Sequence, residues 1–222
     1  MIDTLLEKNW IPDFLIRSQI RRLNQRRLKS EAQKHANGYK AELVKELKSL
    51  PIAIETIAAN DQHYEVPPEF FERCLGKHLK YSCCYWPNEV SNLDQAESSM
   101  LDLTCERAEL KDGQTILELG CGWGAISLWM AEHYPNSKIL SVSNSNDQRK
   151  FIEKTAAQRG LQNLQVQTCD MNSFETDQTF DRVVSVEMFE HMKNYDELLR
   201  RINKWLNSDG KLFVHILSLI HI

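Results

Sequence analysis

The sequence predicts an α/β protein, a doubly wound parallel sheet with an N-terminal helical segment, and three observations carry that prediction. From residue 115 onward, apolar runs of strand length alternate with helix-length stretches, the pattern of repeated β-α-β units. The first run, Ile116-Leu117-Glu118-Leu119, enters a turn built on Gly120, Gly122 and Gly124, and a helical stretch follows. Glycine accepts positive φ and lets a ligand approach the backbone, while the start of the next helix favours a negatively charged or electron-rich group. The third observation is size: 222 residues suit one domain with an appended segment.

Taken in order, residues 1–54 read as a helical segment. Ile16, Ile20 and Leu23 repeat at helical spacing, and Arg17, Arg21, Arg22, Arg26, Arg27 and Lys29 crowd the other faces. A basic amphipathic helix of this kind suits an anionic membrane surface or a partner; the plainer expectation is a solvated helix packed on the main domain. Residues 41–50 continue helical and Pro51 stops them.

Residues 55–110 read as a cofactor lid and helical cap. The part up to residue 90 is dense in aromatics, His and Cys and is broken by Pro67, Pro68 and Pro87, which suggests a ligand-facing segment rather than a regular core element. A helix is expected over 94–107, and Asp112-Gly113 turns into the core domain, 111–222. Strands are expected at 115–119, 138–143, 164–168, 181–188 and 211–217. Helices are expected at 124–133, 146–159 and 196–206, with Asp209-Gly210 turning into the fifth strand.

Composition narrows the function. A net charge of -4 gives no overall pull toward nucleic acid. No run of 18 apolar residues could span a membrane, and the start lacks the apolar block of a secretory signal, so a cytoplasmic protein is expected. The cysteines, Cys74, Cys83, Cys84, Cys105, Cys121 and Cys169, show neither C-x-x-C nor zinc-like His spacing; free thiols and no metal are expected. Oligomeric state has no signature.

Three clusters should meet at the carboxyl ends of the strands. The first is the glycine turn. Gly120, Gly122 and Ala125 also satisfy the dinucleotide pattern G-x-G-x-x-[GA], but such a site needs an acid about 20 residues on. The second strand ends instead in Ser143-Asn144-Ser145. The second cluster is Cys169-Asp170-Met171, where Asp170 can accept from an adenine amino group and Met171 offers a polarizable face. Taken alone, an acid after a strand is more often a helix cap or turn residue. The third is VEMFEHM, residues 186–192, with Glu187, Glu190 and His191. Two carboxylates beside an imidazole suit proton handling; the bland alternative is a solvated turn.

Glu118 just ahead of the glycines resembles motif I of S-adenosylmethionine-dependent methyltransferases. NDQHYEVPPEFF, LGKHLKYSCCYW, LDLTCERA, LELGCGWG, SNSNDQ, FDRVVSVEMFEHMKNY and KLFVHI extend that likeness over about residues 55–216. On these motifs the chain resembles methyltransferases of the coclaurine N-methyltransferase type and their cyclopropane-fatty-acyl-phospholipid synthase relatives. The resemblance implies a class I, Rossmann-like fold and the cofactor S-adenosyl-L-methionine. It puts Tyr81 and Ser82 over the methionine end, with Glu118, Gly120, Gly122 and Gly124 lining it. Ser143, Asn144 and Gln148 would hold the ribose, and Asp170 with Met171 would frame the adenine. Glu187, Glu190 and His191 match the positions that look after the acceptor amine of a small molecule. The faces of Tyr81, Tyr85 and Trp86 could stabilise cationic centres.

The same resemblance leaves open methylene transfer to unsaturated phospholipid acyl chains. Those synthases hold a bicarbonate with Cys, Glu, His and Tyr, and Cys83, Glu190 and His215 match the first three. They usually have Gly where this chain has Glu187, which favours the amine reading. A third reading is an inactive cofactor module. Family chains continue past the fifth strand, whereas this one departs at SLIHI; truncation is expected, with an apolar edge left bare over 212–222.

Overall fold

A computed structural model describes residues 2–54 and 68–217. Most of NDQHYEVPPEFF and all of SLIHI, with Leu219, Ile220 and Ile222, therefore lie outside the described residues. The chain divides into two compact units, Met1–Ser49 and Leu50–Ile222.

The first unit contains α1 (Ile2–Glu7), α2 (Asp13–Ala36) and α3 (Tyr39–Ser49). No residue of α2 is buried, and Ile20 and Leu23 are exposed. Local ion pairs one helical turn apart, Arg17–Asp13 at 2.6 Å and Arg27–Glu31 at 3.0 Å, support it instead, each worth about 0.2–0.5 kcal/mol.

Among the described residues of the second unit, the first helices are α4 (Pro68–Cys74) and α5 (Leu93–Arg107). Then β1 (Thr115–Leu119), α6 (Ala125–His133), β2 (Lys138–Ser143), α7 (Asn146–Gln158), β3 (Leu164–Thr168) and β4 (Phe180–Val186) follow. A 3-10 turn (Phe189–His191), α8 (Tyr195–Trp205) and β5 (Leu206–His215) complete it. The strands form a five-stranded sheet in the order β3-β2-β1-β4-β5, with every pairing parallel.

Position in that order explains strand composition. Central β1 is apolar on both faces: Ile116 packs with Ile139, Val184, Trp129 and Met130, while Leu117 and Leu119 pack with Leu140, Val183, Leu198 and Trp205. Edge strand β3, LQVQT, buries only Val166. α8 lays Leu198, Ile202 and Trp205 on the sheet, each worth roughly 1.5–3 kcal/mol of burial. The chain leaves β1 toward β2 and β3, then returns to β4 and β5. The crevice beyond β1 and β4 is thus the topological switch point, where such sheets bind ligands.

Four expectations are corrected. The fifth strand begins at Leu206, not 211: Leu206 pairs with Phe180 and Lys211 with Arg182, so the residues between bulge out of the ladder. Asp209-Gly210 lies inside that bulge rather than in a turn before the strand, and Asn207 Nδ2 ties it to Asp181 Oδ1 at 2.8 Å. β4 ends at Val186 because Glu187 has φ 53°, left-handed backbone no strand continues through. A helix, α4, occupies part of the proline-broken stretch. Its proline stands first, where no N–H is needed, and Phe71 is buried against the Tyr81 and Trp123 rings at 5.0 Å.

Candidate active site

The glycine turn closes when the Gly120 and Cys121 N–H groups both donate to Val142 O at 3.0 Å, joining the ends of β1 and β2. Its glycines do different work. A Cβ on Gly124 would lie 2.6 Å from Ile152 Cγ1, so that position lets α6 and α7 approach. A Cβ on Gly122 would meet nothing within 4 Å, and Gly122 fronts the cavity above the turn. That cavity is about 690 Å³, within the range of small-molecule and cofactor sites.

Tyr81, Ser82, Glu118, Gly120, Gly122, Ser143, Asn144, Gln148, Asp170, Met171, Glu187 and His191 all line this space; Gly124 and Glu190 do not. Glu118 is 2% exposed, and its Oε2 accepts the Ser127 hydroxyl and, at 2.7 Å, the Ser141 hydroxyl. Burial raises its pKa to about 7, against the pull of both hydroxyls. Ser143 Oγ donates to Gln148 Oε1 at 2.6 Å, leaving Gln148 Nε2 buried and, among the described residues, without a hydrogen-bond partner. An orphaned donor in a cavity wall fits a hydroxyl-bearing ligand such as a ribose. Asp170 Oδ1 accepts the Asn172 N–H at 2.7 Å, so it is a turn residue as well as a cavity residue.

At the β4 end, Glu187 donates its N–H to His215 O at 2.7 Å, and its Oε1 accepts the Cys83 N–H at 3.3 Å. Cys83 Sγ lies 3.6 Å from His215 Nε2, and the thiol, this carboxylate and the imidazole share a cluster within 4.8 Å. Glu187 thus stands beside Cys83 and His215, where the sequence placed Glu190. Glu190 Oε1 instead accepts the Leu217 N–H, and its Oε2 is buried with no partner among the described residues. Burial and the neighbouring Glu187 charge hold the Cys83 thiol above its ordinary pKa, a protonated thiol rather than a nucleophile.

Two residues escaped the sequence reading. Glu97, 0% exposed on α5, accepts the backbone N–H groups of Gly76 (2.9 Å), His78 (2.7 Å) and Lys80 (3.1 Å). It pins the segment that presents Tyr81, Ser82 and Cys83 to the cavity. The one available signal was an acid between Ala96 and Leu101, both buried. Lys80, 4% exposed, also lines the cavity and donates its Nζ to Ser82 Oγ; desolvation lowers its pKa.

A parallel β3-β2-β1-β4-β5 sheet with a ligand-sized cavity over its glycine turn defines a Rossmann-like fold of the class I methyltransferase kind. Residues 53–222 match the family model described as mycolic acid cyclopropane synthetase, and the chain belongs to that family. It is 43% identical over 212 residues to an (S)-coclaurine N-methyltransferase of Thalictrum flavum subsp. glaucum, covering 94% of this chain and 59% of that protein. It is 34% identical over 159 residues to the cyclopropane-fatty-acyl-phospholipid synthase of Escherichia coli (strain K12), covering 71% of this chain and 40% of the synthase. A crystal structure of coclaurine N-methyltransferase bound to N-methylheliamine and SAH superposes with a TM-score of 0.86 at 40% identity, covering 96% of this chain and 62% of that one. The chain thus spans about three-fifths of the length of the coclaurine relatives it matches.

Proposed function

We propose that this chain carries the S-adenosyl-L-methionine site of a methyltransferase whose acceptor is the amine nitrogen of a small molecule. The observation that carries the reading is one continuous cavity, with an orphaned amide donor at Gln148 on one side and an anchored carboxylate at Glu187 on the other. The likeness to N-methyltransferases supports the same assignment. Bound there, the cofactor would supply an electrophilic methyl on a sulfonium sulfur.

The chain's own residues do the rest. Gln148 Nε2, with Ser143 and Asn144 beside it, holds the ribose, and Asp170 and Met171 frame the adenine. Glu118 and the glycine turn form the floor. Glu187 and His191 face the cavity and hold or accept the proton of the acceptor amine, which attacks only through a free lone pair. Glu190 acts behind them, its carboxylate fixing the backbone at Leu217. Confinement of the two reactants can supply ~7–11 kcal/mol of the barrier in favourable cases. No helix among the described residues is long and apolar enough to cross a membrane; we place the protein in the cytoplasm, with the exposed basic residues of α2 open to anionic surfaces.

The test incubates this chain with methyl-labelled cofactor, a panel of cyclic amines and monounsaturated phospholipid vesicles. Labelled amine is expected, and Glu187→Gln should remove most of it while cofactor affinity stays. Labelled lipid without labelled amine would favour the synthase chemistry instead. Binding without any transfer would leave only a cofactor module.

A further inference from the structure

Lys80 is a buried cation in the wall of the cavity. Among the described residues its ammonium enters no ion pair, and its side-chain hydrogen bond goes to the Ser82 hydroxyl. An ammonium has three donors, so two remain for a ligand. Burying a charge without an opposite one is costly, and an anion arriving in the cavity relieves that cost.

The surroundings say which part of a ligand would arrive. Lys80 shares the cavity wall with Glu187, which follows β4 and whose carboxylate accepts the N–H of Cys83, three residues on from Lys80. Asp170 and Met171 follow β3, at the opposite edge of the sheet, and Ser143 and Gln148 sit between, at β2. A ligand whose adenine lies over β3 and whose ribose lies over β2 brings its far end to Lys80. In the cofactor assigned above, that far end is an amino acid, and its α-carboxylate is the anion of the molecule.

We propose that the Lys80 ammonium, together with the Ser82 hydroxyl, holds the α-carboxylate of the cofactor's amino-acid end, an inference that rests on the cofactor reading. The lysine then stands between two carboxylates, the ligand's and that of Glu187, which would otherwise repel each other in a partly dry site. Glu97 contributes by fixing the Lys80 backbone, so the ammonium is positioned before the ligand enters.

Calorimetry with two ligands tests this: S-adenosylhomocysteine, and its decarboxylated analogue in which an aminopropyl chain replaces the amino acid. The native chain should prefer the carboxylate-bearing ligand by roughly 30-fold or more, and Lys80→Met should abolish that preference while holding the analogue's affinity within about twofold. Ser82→Ala, which keeps the cation, should lose roughly 3- to 10-fold of the same preference. Equal affinity of the native chain for both ligands overturns the inference, even if Lys80→Met does not fold. A Lys80→Met variant that still prefers the carboxylate, or that loses both ligands equally, also overturns it and leaves the cofactor reading standing. If the native chain binds neither ligand, the cofactor reading itself fails.

Discussion

Sealed beneath the glycine turn, Glu118 couples folding to pH. Unfolded, it titrates near 4.5; folded, near 7, because burial penalises its charge more than the Ser127 and Ser141 hydroxyls relieve it. Between those values the folded chain binds more protons than the unfolded one. The Glu118 contribution is therefore full below pH 4.5, declines as pH rises, and is gone above about 7. The decline amounts to roughly 3 kcal/mol at most, and urea unfolding at several pH values should show it in the native chain and not in Glu118→Gln. The glycines separate ligand from fold in the same way. Gly122→Val should cost only about 1–2 kcal/mol of backbone strain yet abolish S-adenosylhomocysteine binding in calorimetry, since its side chain enters open cavity. Gly124→Ala meets Ile152 instead and should lower stability by about 1–3 kcal/mol from overpacking and more from its φ of 83°. Residues of this kind were legible because the turn and VEMFEHM announce themselves as local strings. Lys80 and Glu97 did not, because a buried lysine and a solvated one are spelled alike; only the fold brings Glu97 to the 76–80 segment.

Among the elements, the segment from Gly76 to Cys83 depends most on a single side chain. In Glu97→Gln the carboxamide turns an NH2 group toward at least one of three backbone donors, so a buried N–H loses its acceptor. A loss of about 2–3 kcal/mol in chemical unfolding is expected, with a parallel fall in cofactor-analogue affinity as Tyr81 and Ser82 lose their support. Weakened stability with untouched affinity would show that the segment is held by other contacts. Strands β1 and β2 were readable to the residue, since each is a short, mostly apolar run bounded by turn residues; β4 was not, because nothing in its letters marks the left-handed backbone at Glu187 that ends it. The start of β5 was not. Leu206 pairs with Phe180 through a partner distant in sequence, and an Asp-Gly pair that signals a turn in isolation here lies in a bulge. α4 was missed for a related reason: prolines argue against a helix only when they fall inside it, and Pro68 stands at its first position.

At the scale of the molecule, the hydrophobic clusters among the described residues lie within residues 52–213, while α2 and α3 contain no buried residue. Residues 50–222 expressed alone should therefore melt cooperatively and bind S-adenosylhomocysteine within about threefold of the whole chain. A non-cooperative melt would give the helical unit a part in the fold that its exposure does not suggest. The strand order also bears on how a growing polypeptide matures. β1, β2 and β3 leave the ribosome in sequence and can zip together at once, yet β1 keeps one bare ladder edge until β4 is made. That edge carries the most apolar strand of the protein, so a nascent chain halted before residue 180 offers an open template to chaperones or to other nascent chains. The wait ends with β4, whose next residue, Glu187, captures the Cys83 backbone, and Met188, His191 and Met192 then complete this side of the cavity wall. Only a chain synthesised that far can be rescued by ligand, so cofactor supply would govern the yield of finished protein without touching the earlier, aggregation-exposed stage.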